Sequence, residues 1–408
     1  MTSSPLRRSA VAVALVPLIA ILLLGDLPGR TADASGPLWI AAWGKPFTGG
    51  GTPPSNATVR NIARITLGGS AIRIRLTNAS GDLPLVVGAA TVGLQLNATG
   101  PEVVPGTTRR VTFGGSARVT VAPGTNYVYS DPVGFPIQAQ QNVAVSLFVP
   151  NAVNPPAGTA GWNSSYATAA GTGDRTADET GALFAVPIPN STYALTAIDV
   201  LTSDANGAVV GLGSSTFNGN NSVPESYGDV LSLLSVRVNR LPFGEQKGIV
   251  NAGIGGDTLH QAMQDRLERD VFSQTGVTGV IVYDVNDISS GRTAYEIAQD
   301  YLSLIKLAHA RHIKVFCPTW PPAAQSVAGQ GLTGATQLHL LNAWIMNSGS
   351  CDGVVDWNAV LRWQAVDPDV YHPDYISDDI HPNQIGHRAL ADAVPLGWFT
   401  KGWPLPPQ

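Results

Sequence analysis

From about residue 208 onward, short apolar runs rich in valine and isoleucine alternate with stretches whose apolar residues recur every third or fourth position. That alternation predicts strands near 208–213, 248–252, 277–283, 313–318 and 353–357. The intervening stretches predict helices near 227–237, 258–272, 293–310, 337–346 and 382–394. A strand that is apolar throughout has both faces buried, and a helical crossover returns the chain in the same direction. The pattern therefore demands a three-layer α/β/α parallel sheet over residues 205–408, with any ligand site at the carboxyl ends of its strands.

Residues 35–204 read differently. Runs at 71–77, 117–122 and 143–149 alternate or are β-branched, and clusters of Gly, Pro, Asn and Ser separate them. An all-β, sandwich-like domain is expected there. Arg64 to Ala71 echoes Arg110 to Ala117, each an apolar run entering a Gly-Gly pair, and the echo reads as two hairpins. Trp162 and Tyr166 read as core aromatics rather than a sugar platform. The chain is 44% hydrophobic, enough to give both parts a core.

Residues 1–34 read as a secretory signal, so export is expected. Arg7 and Arg8 precede an apolar run from Ala10 to Leu24, and Ala32-Asp33-Ala34 follows as a cleavage site before Ser35. No later run is apolar enough to span a bilayer. The net charge of −5 is spread thinly, with only 13% charged residues, so neither nucleic acid nor an anionic membrane is an expected partner. A small or neutral partner suits such a surface better than a polyanion. The two cysteines, Cys317 and Cys351, match no metal pattern. Export would permit a disulfide, the predicted elements set the two cysteines at different strand ends, and the sequence leaves open whether they bond.

Four segments carry chemistry. Ser215 follows the first α/β strand in Gly211-Leu-Gly-Ser-Ser215, where glycines allow a sharp turn that leaves a hydroxyl uncovered. Alone it is an ordinary helix cap. Asn251-Ala-Gly-Ile-Gly-Gly256 lies between a strand and a helix, where the Gly256 amide could approach a substrate oxygen. Asn286 and Asp287 follow the strand ending at Tyr283, and the Asn286 side chain can donate. Asp378-Asp-Ile-His381-Pro382 places a carboxylate three residues before an imidazole, with Pro382 expected to open the last helix. Asp369 and His372, before Pro373, repeat that spacing, but only the second copy leads into a helix. The acidic and histidine residues from 372 to 381 do not read as a metal site, and no cofactor is expected.

In this order and spacing the segments resemble the SGNH, or GDSL-type, hydrolases over about residues 205–400. The resemblance implies Ser215 as nucleophile, His381 as base and Asp378 as its orienting carboxylate. It implies an oxyanion hole from the Ser215 and Gly256 amides and the Asn286 side chain. The implied activity is carboxylic ester hydrolysis through an acyl-enzyme. A carbohydrate O-acetyl esterase and a catalytically impaired binding protein are the alternatives. The β-rich region resembles that of a two-domain bacterial subgroup. Two departures stand out: Ser214 replaces the family's Asp before the nucleophile, and Asp284 replaces its Gly before Asn286. The second is expected to put bulk and negative charge beside the oxyanion.

Overall fold

The structure is a computed structural model that describes residues 36–50, 55–151, 156–159, 165–188, 191–322, 331–378 and 380–400. The segment read as a signal, together with Trp162 and Asp379, lies outside them. The described residues from Gly36 onward form one compact unit.

The apolar runs of the second half form a five-stranded parallel sheet. Its order is Gln246–Gly253, Ala205–Gly213, Val277–Tyr283, Lys314–Pro318 and Gly353–Val355. The chain thus steps outward from Ala205–Gly213 to Gln246–Gly253, then crosses back to Val277–Tyr283 on the other side. Such a reversal leaves a crevice at the carboxyl end of the strand between the two. Gly213 lies level with Gly253 and Tyr283 at that end, and Ser214-Ser215 comes next. Helices Val230–Val238 and Gln384–Ala393 pack together as one group, and Leu259–Asp265, Ala294–His309 and Gly331–Asn347 as another, flanking the sheet.

Local chemistry sets the helix ends. Asp229, not Tyr227, starts the first long helix, its carboxylate accepting from the Leu231 and Ser232 amides. Tyr227 has φ +53, which a helix excludes. Thr293 and Glu296 cap Ala294–His309 reciprocally. The expected helix at 258–272 is α-helical only over Leu259–Asp265, breaks at Arg266 and continues as a π-helix over Leu267–Phe272. Pro382 does not open the last helix. It pairs with Ile376, and Asn383 caps Gln384–Ala393 through the Ile385 and Gly386 amides.

The β-rich region holds a five-stranded and a six-stranded antiparallel sheet that contribute to a single core with the α/β part. Among the described residues it contains no helix. The first of the two repeated Gly-Gly segments is not a hairpin. Ala57–Arg64 belongs to the six-stranded sheet and Gly69–Asn78 to the five-stranded one, so the first copy is a corner between sheets. The second is a tight turn in which Phe113 and Ser116 pair antiparallel around Gly114-Gly115, and beyond it Val119–Val121 pairs with Leu85–Val87 rather than with Arg109–Val111. Tyr166 packs against Ile62, Val103 and Ala144, and its hydroxyl accepts from the Gly100 amide.

The two halves meet along Gln246–Gly253, the edge strand of the parallel sheet. The Thr66 hydroxyl accepts from the Ile249 amide at 3.0 Å and donates to the Ile249 carbonyl at 3.0 Å. A Cβ on Gly248 would sit 2.0 Å from the Ala41 carbonyl oxygen, so only glycine lets the first strand lie this close. An edge that would otherwise invite pairing with another chain is thereby covered.

Cys317 and Cys351, whose pairing the sequence left open, are bonded, with Cα atoms 6.1 Å apart. Cys317 lies beside Val354 in the neighbouring parallel strand, and Cys351 directly precedes that strand. The reading judged the two ends along the chain, whereas adjacency across the sheet decides whether they meet. The bridge closes 34 residues of sequence separation. C317A/C351A should therefore lose about 3 kcal/mol of stability, checked by urea unfolding under oxidising conditions.

Candidate active site

Ser215 opens a single helical turn, Ser215–Asn218, directly beyond the central strand. Two glycines let that turn lie on the sheet edge. A Cβ on Gly213 would meet the Tyr283 carbonyl at 2.5 Å, and one on Gly253 would meet the Asn218 nitrogen at 2.4 Å. Asn251 ties the second segment to the first, donating to the Phe217 carbonyl at 2.6 Å and accepting from the Gly253 amide at 2.9 Å. Ser215 is 9% exposed.

The His381 Nε2 lies 2.9 Å from the Ser215 Oγ, across 166 residues of sequence. Its Nδ1 lies 2.9 Å from Asp378 Oδ2 and 3.2 Å from Oδ1. A carboxylate facing Nδ1 fixes the proton there and leaves Nε2 free to accept from the hydroxyl. Asp378 is held by its own loop, since the Ile380 and His381 amides donate to its Oδ1 at 2.8 and 2.7 Å. Partial burial alone would raise its pKa. The donors from the His381 ring and amide, the Ile380 amide and the Asn221 side chain outweigh that and keep it below the usual carboxylate range.

Gly256 occupies the third position of a turn closed by the Asp257 amide and the Ile254 carbonyl. Its φ of +79 is the left-handed value that this position requires of a type II turn, hence glycine. Among the described residues neither the Ser215 nor the Gly256 amide has a partner. The Asn286 Nδ2 donates one proton to the Asp257 carbonyl at 2.7 Å, which orients the amide and leaves its second proton available. Asp287 accepts from the Leu259 and His260 amides, joining the third segment to the helix that follows the second.

The decoys go elsewhere. Asp369 meets His339 at 2.6 Å, and His372 faces Asp374. His309 binds Asp352, and His387, buried in the last helix, donates through Nε2 to the Asn220 carbonyl at 2.8 Å.

Sequence reasoning missed what lies under the site. Arg266, 4% exposed, lies 2.6 Å from Asp257 and 3.7 Å from Asp284, and donates to the Ala252 and Gly213 carbonyls at 2.7 and 3.3 Å. It thus binds the carboxyl ends of the two strands that carry Ser215 and the Gly256 turn. Its only sequence mark was an arginine inside an expected helix. Asp284 is wholly buried, and among the described residues neither of its oxygens has a hydrogen-bond donor. Burial first, then the nearby Asp257, pushes its pKa well above the ordinary value, against the pull of Arg266. Burial thus opposes the charge that the sequence led one to expect beside Asn286. Ser214 is buried as well, and its hydroxyl has no partner among the described residues.

The folded protein favours a protonated Asp284 where the unfolded chain would ionise it. That cost is absent below the ordinary carboxylate range and grows as pH rises toward the folded value. Asp284→Asn should thus stabilise the protein by about 1–2 kcal/mol near pH ~8 and by almost nothing near pH ~3.5. Thermal unfolding of both proteins across that range checks the sign.

A serine, histidine and carboxylate in line at the switch point of an α/β/α sheet is the arrangement of an SGNH-type hydrolase fold. Residues 212–389 match the GDSL-like lipase/acylhydrolase family model, and this part of the chain is a domain of that family. Solved structures are similar at low identity. An acetyl xylan esterase is 22% identical, aligned over 47% of this chain and 98% of its own, with TM-score 0.37. The psychrotrophic esterase EstA of Pseudoalteromonas sp. is 18% identical over 47% of this chain and 93% of its own, with TM-score 0.33. The YxiM protein of Bacillus subtilis is 11% identical over 84% of this chain and 77% of its own, with TM-score 0.35. No curated protein matches the chain.

Proposed function

We propose that this protein is a secreted serine hydrolase that cleaves carboxylic esters through an acyl-enzyme. The alignment of Ser215, His381 and Asp378 carries the reading, because a serine hydroxyl needs a base within hydrogen-bond reach to become a nucleophile. Ser215 Oγ attacks the ester carbonyl while His381 Nε2 takes its proton. The Ser215 and Gly256 amides and the Asn286 side chain receive the developing oxyanion. His381 then gives the proton to the leaving alkoxide, and the alcohol departs. Water, activated by the same imidazole, attacks the acyl-serine and releases the acid. Asp378 holds the imidazole in its tautomer and stabilises the imidazolium. Low charge supports a neutral ester, small or carried on a polysaccharide. The residues read as a signal support export.

A fluorophosphonate probe followed by peptide mass spectrometry tests the reading. One adduct on Ser215 is expected, and a folded protein that stays unlabelled would refute it. Asn286→Ala should lower kcat by about 10²-fold, with a smaller change in KM, as measured on a short-chain aryl ester.

A further inference from the structure

Asp378 is the exposed member of the relay, with 47% of its side chain open to solvent. A carboxylate so placed can rotate into water unless both oxygens are held. Its own loop holds Oδ1 through the Ile380 and His381 amides. Oδ2, the oxygen closer to His381 Nδ1, receives one further donor, the Asn221 Nδ2 at 2.8 Å. Asn221 comes from the strap that follows the nucleophile's helical turn, 157 residues away in sequence.

That strap is fixed on both sides of Asn221. The Asn220 amide donates to the Ser215 carbonyl at 3.0 Å, and the Asn220 carbonyl accepts from His387 Nε2 at 2.8 Å. The Ser222 amide and hydroxyl both donate to the Gly219 carbonyl. The Val223 amide donates to Gln384 Oε1 at 2.9 Å, and Gln384 Nε2 donates to the Gly228 carbonyl at 3.2 Å. Asn221 itself has φ +63, a left-handed conformation that asparagine adopts at little cost. The strap therefore spans from the nucleophile to the last helix and presents one amide to the orienting carboxylate.

We infer that Asn221 is a positioning residue of the relay, locking Asp378 Oδ2 against His381 and coupling the Asp-His loop to the turn that bears Ser215. The inference rests on the ester-hydrolase reading. Without Asn221 the carboxylate turns toward solvent, the imidazole loses its fixed tautomer, and proton transfer slows while substrate binding does not change.

Asn221→Gly separates this role from simple turn geometry. Glycine accepts the positive φ even more readily, so a residue needed only for the turn would be replaced without loss. Asn221→Gly is expected to lower kcat about tenfold with KM within about twofold of the parent. The far-downfield proton resonance of His381 Nδ1–H should broaden or vanish, with the thermal midpoint unchanged. Asn221→Asp keeps the size and the turn but sets a carboxylate against Asp378, and should lose at least as much. Parental kcat in Asn221→Gly, or an unaltered resonance, would overturn the inference. Should the parent hydrolyse no ester, the functional reading would fail, and the resonance comparison would still decide whether Asn221 holds the relay.

Discussion

Ser215→Ala should reduce ester turnover by about 10⁴- to 10⁶-fold while leaving the protein folded. Among the described residues the hydroxyl's hydrogen-bond partner is His381 alone, so its removal strands no structural group. Alanine suits a helical turn, and the cost in stability should stay below about 1 kcal/mol. The remaining rate would come from the oxyanion donors and from binding. His381→Ala should fall nearly as far, and the double variant no further, because nucleophile and base act as one unit. Turnover of an aryl ester by purified, mass-checked variants gives the comparison. An additive loss in the double variant would mean that the two residues act separately, and full activity in Ser215→Ala would remove the proposed mechanism.

Arg266→Met should be the most damaging single change to the fold, costing about 3–5 kcal/mol. The guanidinium is nearly inaccessible and sits among Asp257, Asp270 and Asp284, each at most 5% exposed in its side chain. Methionine fills a similar volume but leaves buried acids without their cation. It also removes the donors to the Gly213 and Ala252 carbonyls, so the strand ends beneath Ser215 and the Gly256 turn lose a common anchor. Urea unfolding should show the lower midpoint, and fluorophosphonate labelling of the surviving folded fraction should slow. Adding Asp257→Asn should recover part of the stability, because it removes one stranded charge. Unchanged stability in Arg266→Met would show that the cluster contributes no net pairing.

Residues 208–213 and 277–283 were legible as strands because their side chains are apolar on both faces, which only a central parallel strand requires. That pattern, with its intervening helices, also placed Ser215, Gly256, Asn286 and His381 at carboxyl ends of strands or the starts of helices. Helix boundaries were less legible where a backbone constraint overrode the periodicity, as at Tyr227, Arg266 and Pro382. The first Gly-Gly copy misled because a glycine pair signals a turn without saying which sheet receives the next strand.

What the sequence by itself determined is the set of local demands: which runs must be buried, which turns need glycine, and which residue types could move a proton. Its hydrophobic periods and short motifs act over a few residues, and they suffice for that. Only the tertiary structure decided what meets across the sheet. It joined Cys317 to Cys351, set the Asn221 amide on Asp378, and gathered Arg266 with three buried acids under the strand ends. It also buried Asp284 fully and so raised the pKa of its carboxyl. Those outcomes depend on burial and on distances between residues far apart in the chain, and neither quantity is written in local pattern.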